Sequence, residues 1–165
     1  RRGLAVAGVK FRGSSSAARS TAMDIDARGP RFAAVITAVV LALALVTTSM
    51  WLLLAQTLVF AVGAIAGMRY APYGLVYRFL IRPRLGPPTR FEPAAPPRFA
   101  QGVGTVFAAV GVIGYAVGVT GIGIAFTALA LAAAFLNAAF DFCLGCQMYL
   151  FIRRIWPSSQ ESPAA

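Results

Sequence analysis

The chain contains no histidine and only five acidic residues, Asp24, Asp26, Glu92, Asp141 and Glu161. The lack of histidine removes the commonest general base and metal ligand near neutral pH. So few carboxylates leave almost no material for an acid–base carboxylate pair or a Ser-His-Asp set. Charged residues are also scarce, at 12%, against 59% hydrophobic. A soluble domain carries about a quarter charged residues. The deficit points to lipid as the solvent. A net charge of +10 would indicate nucleic acid in a soluble protein. Here no basic stretch is interleaved with stacking aromatics, so nucleic acid is not expected as a partner. The basic residues instead flank membrane spans.

What is present are two long uncharged runs. Phe32 to Met68 carries no charge, and neither does Phe99 to Phe140. Either run as one helix would far exceed a hydrocarbon core of ~30 Å, so each must fold back. Thr47-Thr48-Ser49 is the polar break in the first, and Val119-Thr120-Gly121-Ile122-Gly123 in the second. The expected fold is an all-α integral membrane protein. Four transmembrane helices are expected at about 31–47, 50–68, 99–118 and 123–143, the last open to continuing to Arg154. Residues 23–156 would form this membrane domain and 157–165 a polar tail. Residues 1–22, with Arg1, Arg2, Lys10, Arg12 and Arg19, read as a disordered basic arm. The apolar patch Leu4 to Val9 is too short for a signal-peptide core. Met23 leaves open whether the arm belongs to the natural protein.

Pro30-Arg31-Phe32-Ala33 opens the first run and Pro97-Arg98-Phe99-Ala100 the second. Proline suits a first helical turn. The match predicts two tandem hairpins of like orientation. Every lysine and arginine lies at or before Arg31, in the connection 69–98, or at Arg153 and Arg154. The positive-inside bias then places both termini and the connection in the cytoplasm of a cell inner (plasma) membrane. Within the connection, Tyr73 to Arg82 predicts a short interfacial helix, with Arg78 and Arg82 toward the phosphates of an anionic inner leaflet. Gly63 with Gly67, and Gly114 with Gly118, read as GxxxG packing pairs. They serve bundle packing, with a homodimer face left open.

Both cysteines lie in Asp141-Phe142-Cys143-Leu144-Gly145-Cys146. On a helix this spacing puts both sulfurs on one side. A disulfide, a metal clamp or a sulfur relay is sterically open, and so is plain packing of two small apolar residues. A structural zinc site needs four ligands, which one chain does not offer. No metal or bound cofactor is therefore expected. On the cytoplasmic side thiols stay reduced, which argues against a permanent disulfide. At the C-terminal end of a helix the dipole opposes a thiolate. Asp141 is four residues from Asn137, so the two would share a helix face, and Asp141 is a candidate for tuning the thiols.

The chain resembles a family of small actinobacterial membrane proteins, domain of unknown function 4395, over about residues 24–154. The resemblance rests on Ile25-Asp26-Ala27-Arg28-Gly29-Pro30-Arg31-Phe32, Arg82-Pro83-Arg84-Leu85-Gly86-Pro87-Pro88 and Pro97-Arg98-Phe99-Ala100. It extends to Phe135-Leu136-Asn137-Ala138 and Phe142-Cys143-Leu144-Gly145-Cys146. The family pattern carries Glu after the second cysteine, where this chain has Gln147. The resemblance implies a multi-span membrane protein and company with thioredoxin-like and sulfurtransferase proteins. It implies no established activity.

The expected function is presentation of a cytoplasm-facing dithiol, with Cys143 and Cys146 as the reactive pair. Electrons or sulfane sulfur would be exchanged with a thioredoxin-like or sulfurtransferase partner. Two other readings stay open. One is a quinone-linked thiol oxidoreductase, by analogy of architecture only. The other is a non-enzymatic membrane scaffold.

Overall fold

The computed structural model describes residues 24–68, 70–85 and 91–155. The expected arm at 1–22, part of the proline-rich linker and the tail at 157–165 lie outside the described residues. Among the described residues the chain forms six helices and two short strands. In order these are β1 (Asp24–Asp26), α1 (Arg28–Thr47), α2 (Met50–Ile65), α3, β2 (Phe91–Pro93), α4 (Ala95–Ala116), α5 (Thr120–Phe140) and α6 (Leu144–Ile155). Helix α3 is one continuous stretch in which a π turn at Tyr77–Ile81 separates Pro72–Val76 from Arg82–Leu85.

This corrects the expected architecture. Among the described residues three helices, not four, are long and apolar enough to cross a membrane: α1, α4 and α5, with mean hydropathies of 2.1, 1.5 and 2.0. Helix α2 is apolar but only 16 residues long. At 1.5 Å per residue it measures about 24 Å, short of a ~30 Å hydrocarbon core. It stops early because Gly67 takes a left-handed conformation, φ +90°. The uncharged run to Met68 gives no sign of that stop. Nor is the fold two separate hairpins. Helix α1 packs mainly on α5, and α2 mainly on α4. Nor is it purely helical, since β1 pairs antiparallel with β2, Ile25 opposite Glu92.

The turns follow from local chemistry. Thr48 closes α1 in the left-handed region, φ 46°, and Ser49 caps α2 by accepting the Leu52 N–H at 3.4 Å. Gly118 closes α4 at φ +78°. The second turn therefore falls at Val117–Val119, ahead of the expected 119–123, and Gly121 and Gly123 lie inside α5. Gly67 and Gly118 both end up beyond the helices they were expected to serve. The two GxxxG pairs are accordingly not continuous helix faces.

Small residues still set the packing. A β-carbon at Gly104 would stand 3.1 Å from Phe60, one at Gly111 2.9 Å from Leu53, and one at Gly114 2.7 Å from the Gly123 nitrogen. These glycines let α4 receive α2 on one side and α5 on another, as close backbone approach in lipid requires. The core comprises Leu41 and Ala44 of α1, Leu53 and Phe60 of α2, Ala108 of α4 and Ala130 of α5. Buried Gln56 donates to Thr37 Oγ1 at 3.5 Å and accepts from the Tyr73 hydroxyl at 2.7 Å. It thereby links α2 to both α1 and α3.

The matched Pro-Arg-Phe-Ala segments do matched work. Arg31 Nε donates to the Ala138 carbonyl at the end of α5, at 3.3 Å. Arg98 donates to the Ala64 and Ile65 carbonyls at the end of α2, each at 2.6 Å. Each arginine thus satisfies carbonyls that a helix C-terminus leaves unpaired, and places positive charge at the negative dipole end. Phe32 packs its ring 5.8 Å from Tyr77 of α3, and Phe99 packs 5.7 Å from Tyr149 of α6. The starts of α1 and α4, the ends of α2 and α5, and helices α3 and α6 therefore gather at one end of the bundle.

Candidate functional site

Both cysteines sit at that end. Helix α5 does not run through them. Asp141 takes a left-handed conformation, φ 57°, and its N–H and that of Phe142 both return to the Leu136 carbonyl. That closes α5 at Phe140. Asp tolerates this region better than most residues. The chain then starts α6, with the Gln147 N–H donating to the Cys143 carbonyl at 3.0 Å.

Cys143 therefore stands at the N-cap of α6 and Cys146 in its first turn. The Cys146 N–H donates to Cys143 Sγ at 3.3 Å. A sulfur here fills the place that a Ser or Asp oxygen fills in an ordinary N-cap. The expectation that the pair ends a helix is overturned, and with it the opposing dipole. The motif lies at the positive end of α6, where a thiolate is stabilised. The two residues are joined as a disulfide, with Cα atoms 5.1 Å apart. Both are half-buried.

Asp141 is exposed and outside any helix. The shared helix face expected for Asn137 and Asp141 is therefore absent. Asp141 stays two residues from Cys143 in sequence, and its backbone makes the break that allows α6 to start there. Gly145, between the cysteines, lies inside α6 and does not break it. A β-carbon on it would lie 2.6 Å from the Ala100 methyl and 2.7 Å from the Ala100 Cα. The glycine lets α6 seat directly on α4. Tyr149, one turn on, meets the Phe99 ring. The second occurrence of Pro-Arg-Phe-Ala was the available signal, since Phe99 and Ala100 are its last two residues.

An arginine-rich end, a membrane-spanning bundle and a Cys-x-x-Cys at a helix start are now established together. The chain belongs to the DUF4395 family, a domain of unknown function matched over residues 25–154. This DUF4395 member is a multi-pass helical membrane protein with a Cys-x-x-Cys pair. No curated protein and no solved structure matches the chain.

A second polar group of the DUF4395 chain lies near the site's end of the bundle. The Tyr77 hydroxyl donates to Asp26 Oδ2 at 2.9 Å, while Asp26 Oδ1 accepts the Arg28 N–H at 3.1 Å. Burial pushes the Tyr77 phenol up to about 12, helped by the hydrogen bond and by the negative charge of Asp26, while Arg28 and Arg82 pull it down. Burial also raises Tyr73. Tyr77 thereby ties α3 to β1 and the start of α1, and Tyr73 ties it to α2.

Proposed function

We propose that the protein carries a thiol–disulfide pair, Cys143 and Cys146, on the cytoplasmic face of the cell inner membrane, with both termini on that side because α2, too short to cross the hydrocarbon core by itself, still returns the chain along the bundle to the end where α4 starts. The pair serves thiol redox or sulfur transfer with a soluble thioredoxin-like or sulfurtransferase partner. One observation carries the reading: the Cys143 sulfur caps α6 and accepts the Cys146 N–H. The sidedness is supported by the arginines gathered at that end and the uncharged turns at the other.

In the reduced form the Cys143 thiolate attacks a disulfide of the partner. A mixed disulfide forms and one partner sulfur leaves as thiolate. The Cys146 thiol, losing its proton, then attacks Cys143 Sγ and releases the second partner sulfur. Two electrons and the Cys146 proton pass from the cysteine pair to the partner, which leaves as one thiolate and one thiol. That step yields an intramolecular Cys143–Cys146 disulfide, the bond the structure holds, and the reverse sequence reduces it. In a reducing compartment such a bond is transient, in keeping with a working pair rather than a structural staple. Asp141 is placed to tune the pair through the helix break it makes.

The test uses single serine variants in intact cells. Cys146→Ser removes the resolving thiol, so a partner should stay covalently bound to Cys143. Cys143→Ser should trap nothing. If neither variant holds a partner and both behave as wild type, the cysteines are packing residues.

A further inference from the structure

Helix α6 has a face that no part of the described chain covers. Leu144, Met148, Phe151, Ile152 and Ile155 are 43%, 42%, 65%, 47% and 63% exposed. Their spacing, i, i+4, i+7, i+8, i+11, makes one apolar stripe on a helix. The helix is held on another side by Gly145 against Ala100 and Tyr149 against Phe99. Two α6 residues a full turn apart thus meet adjacent residues of α4. Helix α6 therefore rests against the first turns of α4. Its last turn carries Arg153 and Arg154, the Arg153 guanidinium lying 6.0 Å from the Tyr149 ring centre.

We propose that α6 is a membrane-surface helix, with its apolar stripe set into the headgroup–acyl boundary of an anionic bilayer and its last-turn arginines directed to lipid phosphates. Two observations select lipid over a protein partner. The stripe adjoins a bundle already clothed in lipid, whose spanning helices expose Val35, Val39 and Leu43 on α1 and Val106 and Ile113 on α4. The charge beside it is basic, matching an anionic leaflet, and Arg98 and Arg31 lie at the same end. The first turn of α6 holds the cysteines, so the disulfide sits at headgroup depth. A soluble partner then has to approach along the membrane surface. This inference does not depend on the thiols being reactive.

The test places the full chain in phosphatidylcholine vesicles with and without phosphatidylglycerol. In a Trp51→Phe, Trp156→Phe background, Phe151→Trp reports the stripe and Leu150→Trp, about 100° round the helix, reports another side of α6. Lipids brominated near the glycerol end of the acyl chain should quench most of the Phe151→Trp emission and little of the Leu150→Trp emission, with aqueous iodide giving the reverse. Phosphatidylglycerol should strengthen the lipid quenching, and Arg153→Gln with Arg154→Gln should abolish that increment. Iodide reaching both positions equally would mean that α6 stands in water. Phe151→Trp shielded from both quenchers would mean that a protein, a second copy included, covers the stripe. Either result overturns the proposal, and neither bears on thiol chemistry.

Discussion

Gly145 meets Ala100 across the α6–α4 contact, closely enough that a single methyl group would not fit between them. The obstructing atoms include the Ala100 backbone, which cannot swing away. Gly145→Ala gains up to about 1 kcal/mol in helix propensity. It loses about 1–3 kcal/mol to overpacking. The clash wins, so the variant should melt earlier in detergent and its α6 should be cut faster by trypsin at Arg153 and Arg154. A higher melting temperature would show that α6 is not seated on α4.

Cys143 and Cys146 should differ in reactivity once reduced. The N–H from Cys146 and the helix dipole favour a thiolate at Cys143 by on the order of 1 kcal/mol. In the paired serine variants, Cys143 should alkylate several-fold faster than Cys146 near neutral pH. After reduction, a membrane-impermeant maleimide should label the pair in inverted vesicles and not in intact cells. Labelling from outside would reverse the proposed orientation.

Arg98 reaches two carbonyls of α2 with the fork of one guanidinium. Lysine has a point charge and no fork. Arg98→Lys should therefore recover only part of the stability lost in Arg98→Ala, a loss of about 1 kcal/mol. Arg31→Ala should cost less, because Arg31 makes a single 3.3 Å bond. Thermal melts of the three variants in one detergent decide this.

Tyr77 links stability to alkaline pH. Its phenol is raised from 10.0 to about 12 in the folded chain. The contribution is complete below pH 10, where the hydroxyl is protonated in both states. It falls as pH rises and is lost through about 12, since the folded state holds the proton more tightly. Tyr77→Phe should flatten that part of the stability curve and cost about 1–2 kcal/mol at neutral pH. Asp26→Asn should lower the phenol only partly, because burial is the larger cause. Ultraviolet titration of tyrosinate follows both.

Much of the site was visible in the residues themselves. The Cys-x-x-Cys spacing, its place after the second uncharged run and its basic surroundings are all read directly. The paired Pro-Arg-Phe-Ala segments announced equivalent positions, although not that their arginines would cap helix ends in the opposite half. Gly145 suggests a helix break in the sequence, whereas the structure keeps it helical and uses it for close contact with Ala100.

The sequence by itself determined the solvent and the polarity of the molecule. Long stretches without charge can be stable only in lipid, and arginines confined to a few segments must share one end. The tertiary structure alone decided where helices stop. Nothing between Phe135 and Cys146 forbids a continuous helix, since no proline interrupts it and Asp141 is an ordinary helix residue in composition. Only its left-handed backbone, held by two N–H groups on the Leu136 carbonyl, turns a motif at the end of one helix into a motif at the start of the next. The dipole acting on the cysteines changes sign with that one rotation.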